Sequence, residues 1–134
     1  MMKMQITKNF ALSEFVDSDT ADRLGIDNTP SEQAVENIIL LCTKLLQPLR
    51  SLYGKPMHIN SGFRVKELND LLPNSSPTSY HMNGLAADIK CENPKALLSC
   101  LLSSGLMFDQ AILYPTFLHL SYRPIRCRQQ VIRK

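Results

Sequence analysis

Residues 29–54, TPSEQAVENIILLCTKLLQPLRSLYG, constrain the fold more than any other stretch. Val35, Ile38, Ile39, Cys42, Leu45, Leu46 and Leu49 recur at steps of three and four, so a helix here would carry one apolar face that must lie on a core. Thr29 is placed to cap it, Pro30 suits its first position, and Glu32 completes a capping box with Thr29. Gly54 is a natural stop, and Pro48, which lacks a backbone donor, is expected to kink the last turns.

The other elements are shorter. NFALSEFVDSDTADRLGI reads as a helical piece with Ser13 as cap and DSD as a turn. MHIN reads as a strand, SGFR as a turn and VKELNDLL as a brief helix ended by Pro73 and the polar loop NSSPTS. LAADIKC is a strand, and NPKALLSCLLSSG is a helix capped by Asn93, with Leu97, Leu98, Leu101 and Leu102 inward and Gly105 at its end. FDQAILY and FLHLSY form a hairpin around PT. Helices first and strands later predict an α+β domain spanning residues 1–134, without a parallel βαβ array.

A chain of 134 residues with 44% hydrophobic content can bury a core without outside staples. Cys42, Cys91, Cys100 and Cys127 form no CxxC pair and are expected to be reduced, buried fillers. The net charge is only +3, and the basic residues gather only in RPIRCRQQVIRK at the C-terminus. That segment is read as a solvated terminal strand and its flank, so no nucleic-acid partner is expected. IILLCTKLL is interrupted by Thr43 and Lys44, which argues against membrane insertion. The start MMKMQITKNFALSEF lacks the apolar run of a secretory signal, so the protein is expected to be cytoplasmic as synthesised. A monomer is expected.

The residues that could carry chemistry are few. The chain has three histidines, His58, His81 and His119. A metal site open to substrate typically needs three protein ligands plus one water. Asp88 sits in an apolar strand, where an ionised carboxylate is costly without a cation or several donors. Alternation in FLHLSY turns His119 away from Leu118 and Leu120. Spacing alone leaves two alternatives, a metal site or structural histidines with a paired carboxylate. An HExxH helix, a GxSxG elbow and a phosphate-binding glycine loop are all absent from the sequence.

SYHMNGLAAD fits the pattern S-x-H-x-x-G-x-A-x-D, with SGFR upstream and HLS downstream. In these motifs and their order the chain resembles the zinc D-alanyl-D-alanine carboxypeptidase family, which includes phage endolysins. NFALSEFVDSDTADRLGIDNTPSEQAVENI, LLQPLRSLYGKPMHINSGFR and FDQAI further resemble its branch known as the peptidase M15 C-terminal-type domain. The resemblance implies a small antiparallel sheet flanked by helices, of the Hedgehog and D-Ala-D-Ala peptidase type. It implies a Zn2+ cofactor held by His81, Asp88 and His119, Arg64 directed at the substrate, and Ser79 fixing the loop or binding substrate. The implied partner is a peptidoglycan stem peptide cut near D-alanine, reached after release from the cell or as part of a phage particle.

One departure from the family stands out. Its enzymes generally place a carboxylate about three residues before the last histidine as the base for the zinc water. Here that position is Thr116, and the related position after FDQ meets Leu113 and Tyr114. Asp109, Gln110 and Tyr114 are therefore the remaining catalytic candidates beside Arg64. Two expectations follow, a zinc peptidase or a zinc-bearing module that binds wall peptide, or serves a virion, without turnover.

Overall fold

The long amphipathic stretch is two α-helices joined by a π-helical turn. The computed structural model describes residues 4–73, 75–76 and 78–134. Helix α1 spans Leu12–Val16, α2 Asp19–Leu24 and α3 Glu32–Leu41, and the π turn Cys42–Leu46 leads into α4 at Gln47–Tyr53. In the π turn the Gln47 N–H reaches back to the Cys42 carbonyl. The helix therefore absorbs Pro48, which could not have bonded its own fourth-preceding carbonyl, by widening one turn ahead of it. Ile38, Leu41, Cys42, Leu45, Leu46 and Leu49 are all buried, as their periodicity predicts.

Two caps differ from expectation for identifiable reasons. Helix α3 starts at Glu32, with Ser31 Oγ accepting from the Ala34 N–H, while Thr29 Oγ1 and N–H are both taken by Asp27. Ser13 lies inside α1, because the Glu14 carboxylate accepts from the Ala11 N–H at 2.7 Å and begins the helix earlier. The expected DSD turn is the start of α2, capped by Ser18.

Strand β1 (His58–Ser61), α5 (Lys66–Leu71), a 3-10 turn (Tyr80–Asn83), β2 (Ala86–Lys90) and α6 (Pro94–Ser104) follow. Asn93 caps α6 as predicted, but Leu102 is 47% exposed, on the side facing away from Leu97, Leu98 and Leu101. Strands β3 (Gln110–Leu113), β4 (Leu118–Ser121) and β5 (Gln130–Arg133) complete a five-stranded sheet of order β1-β2-β4-β3-β5.

The fold class is α+β, with one correction. The first four strands pair antiparallel, whereas β5 pairs parallel with β3. Strand β4 is itself the return leg, so the chain reaches a parallel neighbour without a crossover helix. On one face of the sheet Ala87, Ile89, Ala111, Leu118 and Leu120 pack with α3, α4 and α6 in a single core. Each fully buried leucine there contributes about 1.5–3 kcal/mol. The cysteines are free as expected, though only Cys42 is buried and the other three are partly exposed. No helix among the described residues is long and apolar enough to cross a membrane.

Gly84 joins the 3-10 turn to this core at φ +83°, and a Cβ there would lie 2.6 Å from the Ala34 carbonyl oxygen and 3.0 Å from Ile38 Cγ1. Gly25 has a similar φ of +70° with nothing near. Gly25→Ala is expected to cost about 1 kcal/mol from backbone strain alone. Gly84→Ala should cost about 2–4 kcal/mol in denaturant melts, since α3 must also move.

Candidate metal and substrate site

The opposite face of the sheet carries the polar residues. Asp88 on β2 stands directly across from His119 on β4, and His119 from Ile112 on β3. Opposed residues share a face, so Asp88, His119, Ile112, Gln110 and Ser121 all turn away from the core, as alternation in FLHLSY implies. His81 arrives from the 3-10 turn rather than from the sheet.

The ligand atoms of His81, Asp88 and His119 lie within 4.8 Å of one another. His119 Nδ1 is 2.8 Å and His81 Nε2 3.4 Å from Asp88 Oδ1. These separations suit a shared tetrahedral ion, whose ligands stand about 3.3 Å apart when each bond is about 2.0–2.1 Å. The donor chemistry fits too. His81 Nδ1 lies 2.6 Å from the Gly62 carbonyl, which can only accept, so Nδ1 carries the proton and Nε2 turns a lone pair toward Asp88. The three side chains could hold a metal ion.

The electrostatics follow from burial. Burial alone would raise the Asp88 carboxyl, but the hydrogen bond from His119, helped by the adjacent His81 imidazole, holds it well below the usual carboxylate range. Burial pushes His81 down, partly offset by Asp88 and reinforced by Arg64 and His119, which favours the neutral imidazole that a metal needs. Arg64 is likewise lowered by burial and supported by Asp88, and its Nε is buried with no hydrogen-bond partner among the described residues.

Arg64 is placed by a network that the sequence did not signal. Its N–H donates to the His81 carbonyl at 3.0 Å, and the Phe63 N–H to the Phe15 carbonyl at 2.7 Å. Asn28, buried, donates to the Val16 and Phe63 carbonyls and accepts from the Val65 N–H. A lone asparagine before a predicted helix carries no local pattern that would have revealed this role.

A cleft of about 680 Å³ opens over the cluster, and Arg64, Ser79, Gln110 and Tyr114 line it with the three metal-site residues. Ser79 also caps the 3-10 turn, its Oγ accepting from the His81 N–H at 3.1 Å, which is the loop-fixing role expected of it. Tyr114 stacks on Phe117 with ring centroids 4.4 Å apart. Thr116 is exposed in the hairpin and does not line the cleft. Asp109 is absent from the lining as well. It is fully buried, and Arg128 grips both its carboxylate oxygens at 2.9 and 2.8 Å. His58 is exposed on β1 and outside the cluster.

The family model for peptidase M15 matches residues 8–121. The chain belongs to the peptidase M15 family. A comparison with curated proteins finds no match. M15 membership makes this a metallopeptidase-type domain, and its His-Asp-His cluster could hold a metal ion. The match ends at Ser121, before β5 and Arg128.

In calorimetric titration the protein should take up one divalent ion, with affinity falling more than tenfold in His119→Ala and unchanged in His58→Ala. A second measurement concerns Asp109. Burial would raise its carboxyl, but hydrogen bonds and charge from Arg128, helped by Arg123, hold it below its ordinary value. A depressed folded value stabilises above the unfolded pKa of about 3.9 and is lost as pH falls through the folded value. Asp109→Asn should therefore cost about 1–2 kcal/mol at pH 7, with both arginines half in water, and the gap to wild type should close in acid melts below about pH 4.

Proposed function

We propose that this chain is a zinc-dependent peptidase that hydrolyses peptide bonds near D-alanine in peptidoglycan stem peptides. The observation that carries the reading is the convergence of His81 Nε2 and His119 Nδ1 on one Asp88 oxygen in a cleft shared with Arg64. When bound, zinc supplies Lewis acidity to the scissile carbonyl and brings the pKa of its water toward neutrality. His81 and His119 offer neutral nitrogens, and Asp88 offers the anionic oxygen that holds such an ion in place. Arg64, with a free donor at Nε, stabilises the negative charge that develops on the carbonyl oxygen. Gln110, fixed by a 3.0 Å bond from its amide to Gln130, positions water without removing its proton. The Tyr114 phenol gives a proton to the departing nitrogen.

Among the described residues the cleft holds no carboxylate besides Asp88. A positioned general base contributes about 10²–10⁴-fold, so turnover is expected to be slow by that factor. The same observation favours a second reading, a zinc-bearing module that holds wall peptide without cutting it. Incubating zinc-loaded protein with peptidoglycan fragments separates the two. Release of new amines, abolished in Asp88→Ala, supports the peptidase; saturable binding with no new amines sinks it and leaves the module.

A further inference from the structure

The peptidase reading leaves a second cleft unused. It has a volume of about 700 Å³ and meets the first at Arg64, Pro73 and Asp88, which line both. Residues 58–63 all border it. Alternate residues of a strand point to opposite faces, so a cleft that touches six in a row follows the edge of the strand and not one face of the sheet. The rest of its lining comes mainly from α1, the start of α2, and Leu68 and Leu72 in and after α5.

That edge is free. Strand β1 stands at the end of the sheet order, with β2 as its one neighbour. Among the described residues, His58–Ser61 make no backbone hydrogen bond outside that pairing. A bare strand edge is a template for another extended chain, and proteins commonly shorten or kink such edges to protect them. Strand β1 is short and carries a bulge at Asn60, yet its edge still faces a cleft. The bulge also sets where the edge leads. It puts Ser61 across from Asp88, and the chain then passes through Gly62, which holds His81, to Arg64. A peptide laid along this edge therefore arrives at the metal-site residues.

We infer that an extended peptide continues from the metal site along the free edge of β1, adding a strand to the sheet. The consequence is a cut within a chain, and for that cut the inference rests on the peptidase reading. Arg64 and Asp88 stand where the two clefts join, and each cleft extends away from them, one toward Tyr114 and Arg128 and the other along β1. Removal of a terminal residue needs room for one residue beyond the scissile bond, whereas room on both sides suits a bond inside a chain. Main-chain pairing supplies the affinity, and neighbouring side chains select among sequences. Asp17 and Asp19, both exposed, border the second cleft, so an acidic segment is a poor occupant of it.

The test uses three probes on the zinc-loaded protein, reading binding and release of new amines. The first is N-acetyl-D-alanyl-D-alanine amide, and the second is the same pair flanked on both sides by glycine-lysine-glycine. The third carries N-methyl groups on the flanking amides, which keeps length and charge but removes the donors a strand needs. The lengthened probe should bind at least about tenfold more tightly than the short one, and the N-methylated probe should lose that gain. Asp17→Lys, which sets a positive charge in the second cleft, should weaken the lengthened probe by about threefold or more. Equal binding of the short and lengthened probes overturns the inference, as does failure of all three to bind. A gain that survives N-methylation or is untouched by Asp17→Lys overturns it too, and so does cleavage of the short probe but not the lengthened one. Amine release from the short probe in any of these cases leaves the peptidase reading standing. Binding that depends on the flanking amides, with no amines released from any probe, keeps the docking edge and rejects hydrolysis.

Discussion

A carboxylate set into a core strand is the constraint on which the rest depends. Asp88 lies between Ala87 and Ile89, both fully buried, so the backbone on either side of it is committed to the hydrophobic face. The charge must be neutralised locally, and no single element can do that. Cross-strand pairing delivers His119, while a turn pinned by Ser79 and Gly84 delivers His81. Gly62 then orients His81 from the end of β1. Helix α3 enters this chain of dependence through the close approach of Gly84 to Ala34, so an amphipathic core helix is also the floor under a candidate metal ligand.

How much of this could be read in advance depended on the range of the interaction. Apolar periodicity identified the buried face of α3 and α4, and alternation in FLHLSY put His119 opposite the core, because both signals are local and repeat along the chain. Cap selection between Thr29 and Ser31 was harder, since both residues suit the role and Asp27 decides between them by occupying Thr29. Leu102 was misplaced because a helix can be leucine-rich beyond the arc that its neighbours cover. The parallel pairing of β5 had no signature in a short strand ending at Arg133. Asn28 was silent for the same reason, its partners being Val16, Phe63 and Val65. The three candidate ligands were legible as motifs, while their common geometry needed the sheet register.

The hairpin between β3 and β4 is where this sequence departs from the motif pattern that its resemblance implies. Tyr114 and Phe117 close on each other across the turn, and Thr116 is left on the outside. The cleft wall near His119 is thus aromatic and amide-bearing. Such a wall can shape and orient a ligand well, and it has little basicity with which to accept a proton.

The pairing of Asp109 with Arg128 also bears on where this domain ends. The family match stops at Ser121, yet the counter-charge for a fully buried aspartate lies seven residues further on, beside a strand that completes the sheet edge. A fragment trimmed to the match would leave that carboxylate without its main partner and β3 with an open edge. The shared sequence core of the family and the smallest stable unit of this chain are therefore different objects, and the last dozen residues belong to the second.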